Sequence, residues 1–174
     1  MMELKIINHY KLDLNNVKQL DIGTQFYHKI YEDFDSVEGE ILVKLEHEFG
    51  TDKVSSTGTR LSLKHKLVVS MLNGELASFC FFGDLPFEFN YFKLKENEIY
   101  FYDCFTFKEF RGLGAVYSEV RFVLDRYKDQ GYKFAYVEIE TKNRSSKRAF
   151  AKLGFKKEKT FMSFSCLNLK LLFP

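Results

Sequence analysis

Phe105-Thr106-Phe107-Lys108-Glu109-Phe110-Arg111-Gly112-Leu113-Gly114-Ala115-Val116 is the stretch that decides the fold of this 174-residue chain. Upstream, residues 98–107 are dense in Tyr, Phe and Ile, side chains that suit a pleated strand. Downstream, Val116, Val120, Val123, Leu124 and Tyr127 recur at helical spacing, and Gly131 stops them, which predicts a helix over 113–130. Between the two lies a charged turn with two glycines. Glycine reaches backbone angles that let successive N–H groups converge, and a helix N-terminus adds positive potential. Strand, glycine turn and helix start, in that order, form a cradle for phosphate or pyrophosphate.

Working outward, Asn73-Gly74 between the β-rich runs 67–72 and 75–82 is a hairpin signature. Residues 87–94 are expected to add a strand. After the helix, 134–139 reads as a strand, and Asn143 is a fitting N-cap for a short helix that reaches Lys152 and ends at Gly154. Residues 155–172 supply one or two final strands. In the first sixty residues, 4–9 reads as a strand and 14–30 is loosely helical through Val17, Leu20 and Phe26. Residues 37–49 form an amphipathic helix, with Val37, Ile41, Leu45 and Phe49 on one stripe and Glu38, Glu40, Glu46 and Glu48 opposite. The Ser/Thr/Gly-rich 51–59 reads as a loop.

Hydrophobic residues make up 45% and charged residues 29%, the balance of an ordinary globular domain, and no solenoid repeat is present. One domain over residues 1–174 is expected, with a sheet-rich core given Phe 20, Tyr 10 and Trp 0. Cys80, Cys104 and Cys166 are scattered, and His9, His28, His47 and His65 show no ligand spacing with them. Neither a metal site nor a disulfide framework is expected, and Cys104 and Cys166 read as small apolar packing residues. Glu3 and Lys5 interrupt any leader-like apolar run, and no stretch approaches the roughly 20 apolar residues of a membrane span, so a cytoplasmic protein is expected. The net charge of +2 hides an asymmetry: residues 1–104 carry −6 and residues 105–174 carry +8. Such a division suits two partners of opposite sign.

Two phosphate-loop patterns fail. No Gly-x4-Gly-Lys-Ser/Thr run exists, and after Gly112 and Gly114 the third glycine of GxGxxG is Tyr117. What remains, Arg111-Gly112-Leu113-Gly114-Ala115-Val116, resembles the pyrophosphate loop of the GNAT superfamily of acyl-CoA N-acyltransferases. A second element follows at the family's spacing, Asn143-Arg144-Ser145-Ser146-Lys147-Arg148-Ala149-Phe150-Ala151-Lys152-Leu153-Gly154-Phe155. The resemblance covers about residues 64–165 and is specific over 98–155.

The resemblance implies an α/β fold with a mixed, largely antiparallel sheet, flanking helices, and two parallel central strands (98–107 and 133–140) that splay apart. It implies acetyl-CoA as co-substrate, a small-molecule or peptide amine as acceptor, and often a homodimer. Backbone groups of Phe105 and Phe107 would pair with the pantetheine arm, and the amides of Arg111, Gly112, Leu113, Gly114, Ala115 and Val116 would hold the pyrophosphate. Asn143, Ser146 and Lys147 would contact the cofactor further along. The loop departs from the family at Val116, and the tyrosine that often protonates the leaving thiolate corresponds to Phe150. With that acid missing, Asp103, on the strand into the loop, is the candidate catalytic base, a structural carboxylate being the other reading. An acidic run, with seven carboxylates against Lys44 within 32–48, suits a cationic acceptor. A catalytically weak acyl-CoA-binding module is the alternative that Phe150 and Val116 favour. The basic half tracks the proposed cofactor site with no nucleic-acid fold beside it, so no nucleic-acid partner is expected.

Overall fold

The computed structural model describes residues 3–18, 20, 25–89, 92–166 and 169–173. Its elements in chain order are β1 (Glu3–Asp13), a 3-10 turn (Leu14–Asn16), β2 (Tyr27–Tyr31), α1 (Gly39–Phe49), α2 (Thr51–Ser62), β3 (Lys66–Leu72) and β4 (Glu75–Gly83). There follow β5 (Phe87–Phe89), β6 (Phe92–Leu94), β7 (Glu98–Thr106), a 3-10 turn (Lys108–Phe110), α3 (Ala115–Asp129), β8 (Phe134–Glu140), α4 (Arg144–Leu153), β9 (Lys156–Cys166) and β10 (Leu169–Phe173). Internal contacts divide the chain into two compact units. One takes in Met1–Leu20, Asp84–Phe101 and Leu124–Pro174, the other Asp21–Gly83 and Tyr102–Val123. β7 contributes to both.

In the second unit the strand order is β2-β3-β4-β7. β3 and β4 form the expected hairpin, with Asn73 (φ +53°) and Gly74 (φ +82°) both left-handed, as a type I′ turn requires. Ala77 is an extra residue in β4, because Ser70 pairs with Ser78 and Met71 with Leu76. Such a bulge bends the strand. α1 and α2 cover one face of this sheet, where Tyr31, Ile41, Leu45, Leu61, Leu67 and Phe79 form a dry cluster. Each such side chain contributes roughly 1.5–3 kcal/mol on burial. The opposite face receives the start of α3, where Ala115 packs with Phe26 and Ala77. Helices therefore lie on both faces.

In the first unit the order is β10-β9-β1-β8-β7. β7 and β8 are parallel from Glu98–Phe134 to Phe101–Val137, and the other pairings around them are antiparallel. β1 sits between β8 and β9.

Three expectations are corrected. The loosely helical 14–30 is a 3-10 turn followed by strand β2, with 19 and 21–24 outside the described residues. The expected loop 51–59 is helical within α2. Its hydroxyls are satisfied on the helix's own carbonyls, Ser56 and Thr57 on Lys53 and Thr59 on Ser55, and Thr57 is fully buried. The single strand at 87–94 is a short antiparallel pair, β5 with β6. Among the described residues no helix is long and apolar enough to cross a membrane, and no cluster of His, Cys, Asp or Glu could hold a metal ion.

Candidate active site

The second unit's stretch of β7 leads into the glycine loop, and its register decides which backbone groups are free. Phe107 donates its N–H to Ala77 of β4 at 3.0 Å. Cys104 lies opposite Cys80, with Cα atoms 4.0 Å apart, the close spacing of a non-hydrogen-bonded pair. Antiparallel pairing alternates, so the Phe107 N–H faces β4 while the backbone groups of Cys104 and Thr106 face away. The Thr106 carbonyl accepts from Arg111 Nε at 3.3 Å, and the Phe107 carbonyl accepts from Phe110 N–H. Of the expected pairing partners, Phe107 has its N–H bonded to β4, and the rings of both Phe105 and Phe107 pack with Phe79. The same register overturns the expectation of unpaired cysteines, since the Cys80 and Cys104 sulfurs are bonded.

Past Phe107 the chain makes its 3-10 turn and then two left-handed steps, at Gly112 (φ +86°) and Gly114 (φ +85°). A side chain at Gly112 would meet no atom within 4 Å, so only its backbone angle demands glycine. Arg111 N–H closes on Lys108 and Leu113 N–H on Phe110, which shapes the loop. The Gly114 carbonyl accepts from Ser118 N–H at 2.9 Å as α3 begins. The amides of Ala115 and Val116 have no carbonyl a turn behind them to bond, as at any helix start. Ala115 is buried and Val116 half-buried, while Arg111, Gly112 and Leu113 are exposed.

Asp103 stands at φ +51°, a left-handed angle unusual for a non-glycine residue and found in the middle of β7. Its carboxylate accepts from Lys53 Nζ at 2.6 Å and from Arg60, both on α2. Burial pushes the carboxyl up, but the two cations outweigh it and hold Asp103 below its usual range. Lys53 is pulled below the usual range for lysine by burial, which the bond to Asp103 only partly offsets. Its ammonium lies over the rings of Phe79 (4.5 Å), Phe49 (5.2 Å) and Phe81 (5.6 Å).

A buried polar row escaped the sequence reading. His28, Ser70 and Ser78 are direct partners across β2, β3 and β4, on the face that meets α3. His28 Nδ1 hydrogen-bonds Ser70 at 2.9 Å and its Nε2 hydrogen-bonds Ser118 at 2.8 Å. Ser78 donates to Glu119 Oε2 at 3.2 Å, and Ser70 also hydrogen-bonds that carboxyl. Glu119 is fully buried, and its Oε1 has no partner among the described residues. The signal available was two serines in otherwise apolar strands, but only the register joins them to a histidine and a glutamate.

Burial pushes the His28 pKa down from 6.5 to about 4. The unfolded chain therefore takes up a proton near pH 6.5 that the folded chain refuses until about pH 4. The stability this group gives is complete above 6.5 and drains as the pH falls through that window. His28→Gln, which cannot titrate, should flatten the decline in melting temperature between pH 6.5 and 4. An acid slope equal to that of the wild type would count against the assignment.

Asn143, Ser146 and Lys147 belong to the other unit. The Asn143 carboxamide oxygen caps α4, accepting from Ser146 N–H at 3.1 Å and from Ser145 Oγ at 2.9 Å. Lys147 Nζ donates to the Thr141 carbonyl at 2.6 Å. Phe150 is buried against Phe155, ring centroids 5.1 Å apart, and has no proton to give. Asp103, Phe105, Phe107 and Arg111–Val116 are thus gathered in one unit, and Asn143, Ser146 and Lys147 in the other.

Many solved structures share this fold. A GNAT-family acetyltransferase from Colwellia psychrerythraea matches with TM-score 0.64 and 14% identity over 94% of this chain and 56% of its own. A glucosamine N-acetyltransferase region of a fungal multi-domain β-N-acetylglucosaminidase matches with TM-score 0.66 and 13% identity, over 93% of this chain and 21% of that one. A predicted acetyltransferase from Clostridium acetobutylicum, solved with acetyl-CoA, matches with TM-score 0.54 and 11% identity over 78% and 92%. Against six of the structures the chain spans less than two thirds of their length, from 21% to 63%. No curated protein sequence matches the chain. Identities this low speak for the fold alone, whereas the family's own sequence model matches residues 25–155, glycine loop and second motif included, and the chain belongs to the acetyltransferase (GNAT) family.

Proposed function

We propose that the chain transfers an acetyl group from acetyl-CoA to a primary amine that arrives as a cation. The observation that carries this reading is the run from Cys104 to Val116. Two outward strand positions, two left-handed glycines and the first amides of a fifteen-residue helix follow one another without a break. In this reading the backbone groups of Cys104 and Thr106, in place of those of Phe105 and Phe107, pair with the pantetheine arm as an added strand. The amides of Gly112, Gly114, Ala115 and Val116 hold the pyrophosphate, those of Arg111 and Leu113 shape the loop, and the Arg111 guanidinium adds charge. Asn143, Ser146 and Lys147, the matching positions of the second motif, contact the cofactor further along.

The reaction needs a deprotonated amine to attack the thioester carbonyl carbon, and a proton for the departing thiolate. Phe150 supplies none. Asp103, kept ionised by Lys53 and Arg60, is too weak a base to retain a proton from an ammonium. It serves the site through its negative charge, and water carries the proton.

The acidic lobe favours a cationic acceptor. A groove of about 870 Å³ beside β2 and the start of α1 is lined by Tyr27, Lys29, Tyr31, Glu38 and Glu40; Lys29 and Tyr31 hold Glu38, and Glu40 leaves the lining with a net negative charge. Carboxylates lining a concave surface concentrate cations, an effect that fades with salt. Amines should therefore be screened by thiol release from acetyl-CoA, and kcat/KM of the best acceptor measured at low and high salt. A cationic acceptor whose kcat/KM falls as salt rises is the expected result. A neutral or anionic best acceptor overturns the steering. Binding of acetyl-CoA with no thiol release for any amine would favour the weak, cofactor-sensing reading that Phe150 and Val116 motivate.

A further inference from the structure

Lys53 is a primary amine enclosed beside the strand that the proposed arm follows. Its side chain is 11% exposed, against 18% to 40% for the other ion-paired lysines of this unit, Lys29, Lys44 and Lys66. Its nitrogen lies 2.6 Å from Asp103 Oδ2 and over three phenylalanine rings. An arm that pairs with Thr106 and then Cys104 runs back along β7, and the next residue its reactive end meets is Asp103. The amine nearest that point is the chain's own.

We infer that Lys53 is an acetylation site, modified by the chain itself from acetyl-CoA bound at the glycine loop. This rests on the cofactor reading above and adds to it an acceptor within the chain. The Lys53 ammonium gives one proton to water, which its burial favours. The neutral nitrogen forms a bond to the thioester carbonyl carbon, the carbon–sulfur bond breaks, and the second nitrogen-bound proton ends on the thiolate. The products are Nε-acetyl-Lys53, free CoA thiol and one proton. Arg60, the other cation on Asp103, is no nucleophile while its guanidinium stays protonated. After modification Asp103 keeps Arg60 as its cation, and the phenylalanine cage holds an amide instead of a charge.

The test uses the whole chain with acetyl-CoA, followed by intact mass and peptide mapping, with thermal shift on the same samples. Lys53 should gain an acetyl group at least about tenfold faster than exposed lysines such as Lys64, a modest share of what proximity can give. The rate per molecule should not depend on protein concentration. Lys53→Arg, which keeps the charge beside Asp103, should still be stabilised by acetyl-CoA yet show no mass gain at 53. Gly112→Leu should lose both. Stabilisation by acetyl-CoA with Lys53 unmodified overturns this inference and leaves the cofactor reading standing. Modification of Lys53 that persists in Gly112→Leu marks solution chemistry and overturns it too. Absence of any acetyl-CoA binding overturns both.

Discussion

With acetyl-CoA at about 100 times its Kd, the wild-type melting temperature should rise by about 5–10 °C while that of Gly112→Leu stays where it is. The wild-type figure follows from linkage: a ligand at that ratio adds about 2.7 kcal/mol, and each kcal/mol moves the midpoint of a chain this size by about 2–4 °C. The variant's behaviour follows from the loop. Gly112 sits at φ +86° with nothing within 4 Å of the position a Cβ would take. A leucine there costs the folded protein only its backbone strain, about 1–2 kcal/mol for a left-handed L-residue. Without ligand the variant should therefore melt somewhat lower than the wild type, still in a cooperative transition. Its side chain, however, adds bulk to the loop whose amides would hold the diphosphate, and is expected to obstruct it. Gly112→Ala carries the same strain with far less bulk, so it separates the two effects. A ligand-induced shift of wild-type size in Gly112→Leu would place the phosphates elsewhere.

The parts of this fold that were legible in the sequence are those fixed by neighbouring residues. Asn73-Gly74 announced its hairpin because both residues accept positive φ. Asn143 announced the start of α4 because a carboxamide can bond the amide three residues on. The strand, glycine turn and helix around Gly112 lie within one continuous segment. What the sequence hid depends on pairing across distance. Nothing local places β1, at the start of the chain, between β8 and β9. The helical nature of α2 was masked because Ser and Thr compete for backbone bonds, and in this helix they are satisfied on it. Which residues of β7 turn their backbone groups away from β4 was hidden as well, because strand periodicity is two and one ladder bond, Phe107 to Ala77, sets the phase. The Cys80–Cys104 bond follows from that same phase.

Glu119, on the helix that starts at the glycine loop, should make stability depend on pH. Its carboxyl is wholly enclosed between α3 and the sheet, with hydroxyls from Ser70 and Ser78 on it and one oxygen left unpartnered among the described residues. Burial pushes the carboxyl well above its ordinary range near 4.5, and the two serines offset only part of that. In the folded protein the group stays protonated at a pH where the unfolded chain has already released the proton. Since the unfolded state then binds fewer protons, stability falls as the pH rises from 4.5 up to the folded pKa, by at most about 1.4 kcal/mol per pH unit. Glu119→Gln has nearly the same shape, keeps an acceptor and a donor for the serines, and cannot ionise. At pH 5 it should melt within a few degrees of the wild type. By pH 8 it should have gained steadily on it, by about 2–4 °C for each kcal/mol that the wild type has lost. Glu119→Ala should be destabilised at every pH, since it leaves a cavity and strands Ser70 and Ser78. A constant offset between Glu119→Gln and the wild type from pH 5 to 8 would mean that the carboxyl does not titrate differently on unfolding. A variant that lost ground as the pH rose would mean that the native helix start holds Glu119 as an anion.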